Sequence, residues 1–266
     1  FLLPPIDVLT SGPSGLTYQP GTGFSTNCEN AFLVCDYRGG PAASGIWAFE
    51  LEPRGAGLEM VNARKFNWGA AVTDVEFGYD GRLYIADFVK GWQSHSAGRI
   101  YTLSSEESLT SAKTKEVTEL FAEKDFNRLP PLQLFELMGH EDFRVRLRAQ
   151  LALADRPEAV PYFINATRQE ESRSLALHGI WGLWIRSRRF QSNASTDQLL
   201  ELLGHPDNEL RAQAARAEAR RAGLVESVGR AQSRLETARK LHDAAKEAFE
   251  AVNGEDDGQD ALVAAR

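Results

Sequence analysis

The chain has 266 residues, 42% hydrophobic and 25% charged, with a formal net charge of −7. That composition excludes a disordered, collagen-like or disulfide-scaffold protein, and at ~150 residues per domain the length predicts two domains. The acidic balance argues against nucleic acid as a partner, because affinity for phosphates comes from clustered Lys and Arg.

Phe1 is followed by neither a basic n-region nor an apolar h-region, so we expect an internal piece of a longer protein. No run of ~18 apolar residues occurs, since even 175–185 is interrupted by His178, Gly179 and Gly182, and no membrane span is expected. Cys28 and Cys35 make none of the paired spacings of zinc, redox or haem motifs and are expected as buried thiols.

Fourteen of the 22 glycines fall in the first 104 residues. There, β-branched and aromatic runs bounded by Gly, Pro and Asp predict strands over 15–18, 32–37, 46–51, 58–63, 72–77, 83–88 and 99–103. The strands repeat. Phe32-Leu33-Val34-Cys35-Asp36-Tyr37 aligns with Leu83-Tyr84-Ile85-Ala86-Asp87-Phe88 at an offset of 51, and each is followed by a Gly-containing loop and another strand. Such a period, four strands in the first unit and three in the second, is that of propeller blades.

After a polar connector the periodicity becomes helical. Leu134 to Asp142, containing Gly139-His140, reappears as Leu200 to Asp207, containing Gly204-His205, and each is followed by an Arg- and Ala-rich helix. A variant unit, 160–167 with 172–186, lies between them. Helical hairpins of this kind stack into solenoids. His140 and His205 belong to units 65 residues apart, which favours turn capping over metal binding. Arg186, Arg188 and Arg189 suit a helix C-terminus. A long amphipathic helix is expected over 224–252, broken at Asn253-Gly254 and restarting at Asp260. The expected architecture is therefore a two-domain β + α chain. Residues 1–104 form a partial β-propeller of two terminal blades, 105–129 a connector, and 130–266 an α-helical HEAT-like solenoid.

Specific motifs carry a resemblance. Ile6-Asp7-Val8-Leu9 through Gly15-Leu16, Asp36-Tyr37-Arg38-Gly39-Gly40-Pro41, Thr73-Asp74-Val75-Glu76-Phe77-Gly78, Asp87-Phe88-Val89-Lys90-Gly91-Trp92 and Gly98-Arg99-Ile100-Tyr101 resemble the final blades of large secreted planctomycete-type proteins. Those proteins join a propeller, HEAT repeats and a c-type cytochrome. Their propeller is similar to that of sugar (glucose or sorbosone) dehydrogenases that use pyrroloquinoline quinone (PQQ). The resemblance implies a periodic arrangement of blades in an exported or periplasmic parent that oxidises a sugar or alcohol. PQQ and calcium would belong to that parent, and haem c to a domain outside this chain, which alone would be inactive and hold no cofactor. It also implies that Arg38, placed after the second strand of a late blade, would approach the quinone. The arginines that would open the next blade are replaced by Ala71 and Thr73.

Each candidate also has a plainer role. Arg38 offers a guanidinium to a quinone carboxylate, or pairs with Asp36. Asp36 and Asp87 end equivalent strands and could bind calcium or a substrate hydroxyl, or cap their own turns. Lys90 and Trp92 could form a sugar platform, or pack at the rim. The rival to a dehydrogenase fragment is a non-catalytic propeller/HEAT scaffold with a protein partner on the solenoid. The preceding blades and the region after Arg266 would then be further partners in the parent.

Overall fold

The computed structural model describes residues 5–54, 57–90 and 97–220, and beyond them 222–223, 230, 232–240 and 242–243. The chain divides into two compact units that part after Gly182.

Among the described residues, the first unit holds two antiparallel sheets. β1 (Pro13–Tyr18), β2 (Phe32–Asp36), β3 (Gly45–Arg54) and β4 (Gly57–Trp68) follow one another in the first sheet. β5 (Val72–Phe77), β6 (Leu83–Asp87) and β7 (Arg99–Leu103) do so in the second. In β6 the period-2 pattern buries Leu83, Ile85 and Asp87. A register shift between Val72 and Asp74 breaks that period in β5. Val72, Val75 and Phe77 consequently all face inward. β2, flanked by β1 and β3, buries four consecutive residues, Leu33 to Asp36.

One apolar core joins both sheets. Leu33, Cys35, Ile46 and Ala48 come from the first and Val75, Phe77, Leu83 and Ile85 from the second, closed at the side by Phe24 and Cys28. Fully burying a Leu, Ile, Val or Phe contributes about 1.5–3 kcal/mol, so this shared core binds the sheets to each other. β4 runs further than its apolar run predicts. Its polar half includes Asn62, which has φ 54° beside a register shift, and Arg64; both donate to Glu50 on β3.

Helices begin earlier than the sequence predicts. Within 105–129, read as a connector, stand α1 (Glu106–Thr110) and α2 (Ala112–Glu123). The signal was weak because α1 is closed by a capping box of two serines, Ser105 and Ser108, without the usual acidic partner. Then follow α3 (Pro131–Leu137), α4 (Phe143–Ala154), α5 (Ala159–Thr167) and α6 (Arg173–Phe190), the last of which crosses Gly182 into the second unit. The second unit continues with α7 (Asn193–Glu201), a 3₁₀ turn (Leu202–Gly204) and α8, residues 208–220. Most of the expected long helix over 224–252, the break at Asn253 and the restart at Asp260 lie outside the described residues; 232–240 are helical. No helix among the described residues is long and apolar enough to cross a membrane.

Candidate functional site

The strand-end candidates are held by their own neighbours. Asp36 is fully buried at the end of β2. Its carboxylate accepts Arg38 Nε at 2.9 Å and Trp47 Nε1 at 3.2 Å, and Arg38 Nη2 lies 2.8 Å from its second oxygen. Burial pushes the Asp36 carboxyl up, but hydrogen bonds from Arg38, Thr10 and Trp47 together outweigh it and hold the group below its usual range. Arg38 is thus bound through two nitrogens to a carboxylate two residues away. Asp87, the equivalent end of β6, accepts the Val89 N–H at 3.0 Å and faces Arg99 Nε at 3.8 Å. Asp87 therefore closes its own turn, whereas Asp36 is held by side chains, those of Arg38, Trp47 and Thr10. The two strand ends adjoin, for the Tyr37 and Phe88 rings meet edge-on at 6.2 Å. Lys90 is exposed just beyond β6, and Trp92 lies outside the described residues.

Cys28 and Cys35 are free and buried, and burial pushes both thiols up to about 12. Neither is a thiolate at neutral pH. Among the described residues no three His, Cys, Asp or Glu gather as metal ligands.

The two histidine turns are built alike. Nδ1 of His140 accepts the Asp142 N–H at 2.9 Å, and Nδ1 of His205 accepts the Asp207 N–H at 3.0 Å. Asp142 caps α4 by accepting Arg144 N–H, as Asp207 caps α8 by accepting Glu209 and Leu210 N–H. Six residues after each histidine an arginine returns to the turn: Arg146 donates to His140 and Glu141 carbonyls, and Arg211 to His205 and Pro206 carbonyls. The repeated residues are scaffolding.

Arg144 has no such counterpart, since Glu209 stands 65 residues later. It locks the helices to the sheets inside the first unit. Its Nη2 lies 2.6 Å from the fully buried Asp142, and its Nη1 donates to the carbonyls of Phe77 at 2.8 Å and Gly78 at 3.2 Å. Thr22 donates to the same Asp142 oxygen at 2.5 Å, and the Phe143 N–H donates to the Pro20 carbonyl at 3.0 Å. Between these, Gly21 has φ +104°, and a Cβ there would stand 2.5 Å from the Glu141 carbonyl, so only glycine fits. Burial pushes the Asp142 carboxyl up, yet the Arg144 hydrogen bonds and charge, with help from Thr22, hold it below its usual range.

Beside this joint lies a cleft of about 490 Å³. Its floor is the Tyr79 ring, stacked on Phe121 at 3.9 Å, with Phe126 5.6 Å further on. Arg144 lies over the Tyr79 ring as well, 4.7 Å from its centroid, and Tyr79 is still 46% exposed. Thr118 on α2 fixes the loop from beneath by donating to the Tyr79 carbonyl at 2.8 Å. One wall is the α4 face carrying Leu147 and Leu151, 45% and 39% exposed; Arg148 and Lys124 stand at the rim. None of these residues stood out in the sequence. The available signal was the departure of Arg144, Leu147, Arg148 and Leu151 from Glu209, Ala212, Gln213 and Arg216 at the same positions of the later repeat. No family model, no curated protein and no solved structure matches this chain.

Proposed function

We propose that the chain is the propeller-and-HEAT part of an exported or periplasmic protein, and that it serves as a binding scaffold with no redox chemistry of its own. In this reading β1–β4 and β5–β7 are two terminal blades, and the helices from α3 onward are HEAT-like (armadillo-type) repeats. The observation that carries it is the Asp36–Arg38 pair. Arg38 turns Nε and Nη2 to the buried Asp36 carboxylate at 2.9 and 2.8 Å, so its charge is already compensated before a quinone carboxylate arrives and little attraction is left for a second anion. At the positions where the next blade would open with arginines stand Thr73 and Ala71, the latter fully buried and with its carbonyl accepting the Phe88 N–H at 2.8 Å. The residues present therefore do not fit a quinone cradle.

The second reading, a quinone-dependent sugar or alcohol dehydrogenase in a longer parent, is favoured by one feature. The ends of β2 and β6 adjoin at Tyr37 and Phe88, where the inner strands of blades would surround a ligand. An absorbance titration with PQQ and calcium separates the two. Micromolar affinity needs about 8 kcal/mol, more than one charge-assisted contact supplies. We expect no saturable shift and no dye-linked sugar oxidation by residues 1–266. A saturable shift abolished by Arg38→Ala would overturn the scaffold reading.

A further inference from the structure

The cleft beside Tyr79 departs from the rest of the molecule in two ways. The first is apolar exposure. At positions 212 and 216 the later repeat turns Ala and Arg to solvent, as a surface helix does, whereas at 147 and 151 the earlier one turns two leucines outward, one turn apart on α4. They continue an aromatic floor, Tyr79 on Phe121, so the apolar surface is contiguous and concave rather than scattered.

The second is charge. The chain carries −7 overall, yet three of the four charged residues lining the cleft are cations. Two of the four are already matched: Arg144 by Asp142, and Asp125 by Arg128 at 3.4 Å. Among the described residues Lys124 and Arg148 have no ion-pair partner, and both are exposed. An apolar trough with two uncompensated cations at its edge complements a segment that presents apolar side chains on one side and carboxylates beside them.

We propose that this cleft docks a short acidic amphipathic helix of a partner protein. Its apolar residues, spaced at i and i+4, would lie on Tyr79, Phe121, Leu147 and Leu151, and its carboxylates on Lys124 and Arg148. This is helix-in-groove recognition, in which the apolar anchors supply affinity and the charges select the partner. Nucleic acid also seeks cations beside aromatic rings, but the leucine wall offers it nothing and the −7 field repels it. The cleft is anchored rather than adaptable, because Arg144, Asp142 and Thr118 fix its floor and one wall. The assignment rests on the scaffold reading and gives it a partner class.

The probe is a labelled synthetic peptide of about four helical turns, with Leu at i, i+4 and i+7 and Asp and Glu elsewhere, followed by fluorescence anisotropy on the full chain. Two control peptides replace the carboxylates by Lys or the leucines by Ser, and a single-stranded oligonucleotide competes. We expect saturable binding of the acidic peptide alone, weakened by salt. It should weaken about tenfold or more in Arg148→Glu and again on adding Lys124→Glu, and fall comparably in Leu151→Ser. Arg148 and Lys124 are exposed, so circular dichroism should show those variants folded. Absence of binding, equal binding of the Lys peptide, indifference to Arg148→Glu, or tighter capture of the oligonucleotide would each overturn the assignment. The quinone titration on the same preparation keeps the two failures apart. A silent quinone with a failed peptide removes only the cleft assignment, whereas a bound quinone removes the scaffold reading whatever the peptide does.

Discussion

His178 is 5% exposed on α6, with Nδ1 2.7 Å from Gln150 Oε1 and the Trp181 ring edge-on at 5.0 Å. Burial first, and the Arg146 charge second, push its pKa from 6.5 down to about 4. The folded chain therefore binds fewer protons than the unfolded chain between those values. Stability is fully present above pH 6.5 and is lost as pH falls toward 4. By linkage the loss amounts to about 3 kcal/mol. Asp142 acts in a lower window: its depressed carboxyl contributes stability above 3.8 that is lost only as pH falls further. Urea midpoints taken from pH 7 to 4.5 should decline in the natural chain and be nearly flat in His178→Gln. An equal decline in both would show that His178 does not carry the dependence.

Two glycines inside α6 look like errors at the level of propensity, since each costs about 1 kcal/mol relative to alanine in a helix. Packing explains them. A Cβ at Gly182 would stand 2.3 Å from the Phe163 ring, and one at Gly179 2.9 Å from both the Phe163 carbonyl and the Ala166 Cβ. Phe163 on α5 is fully buried and cannot swing away. Gly182→Ala is expected to destabilise the chain by about 1–3 kcal/mol despite the better helix former. Gly204→Ala, where nothing lies within 4 Å, should be neutral. Thermal melts of the two variants decide it, and an unchanged midpoint for Gly182→Ala would refute the packing account.

Elements of this kind also show what the sequence could tell. The strands over 72–77 and 99–103 were legible to the residue, because β-branched and aromatic residues cluster there between the glycines at 69, 78 and 98. The polar half of β4 was not, since its bulged edge position imposes no such alternation. The histidine turns were legible because His, Asp and Arg recur with their spacing intact, and the structure gives both turns the same bonds. Asp36 was foreseeable as the partner of Arg38, two residues away. The cleft was hidden because Tyr79, Phe121 and Leu147 lie far apart in sequence and meet only in the fold, where Thr118 holds the Tyr79 loop to α2 and Arg144 holds α4 to the end of β5.

At the scale of the whole molecule, that joint decides how the chain unfolds. Composition changes near residue 104, yet the strands and the helices through Gly182 lie in one compact unit. What ties them is Arg144, whose side chain spans from buried Asp142 to the carbonyls at the end of β5, with Thr22 and the Tyr79–Phe121 stack alongside. Arg144→Ala would leave Asp142 buried with its principal counter-charge gone, a loss of about 3–5 kcal/mol for a buried pair broken on one side. The loss falls on the seam rather than within either the strands or the helices. In the natural chain, amide exchange at rising urea should expose β2, β6, α4 and α5 together, as one cooperative transition. In Arg144→Ala the strands and the helices should open at separate urea concentrations, while Arg146→Lys, which keeps the cation and weakens only the bonds to the His140 and Glu141 carbonyls, should keep them coincident. If Arg144→Ala still unfolds in one step at the natural midpoint, the shared sheet core and the Phe143–Pro20 contact suffice to couple the two parts, and the arginine is not the joint.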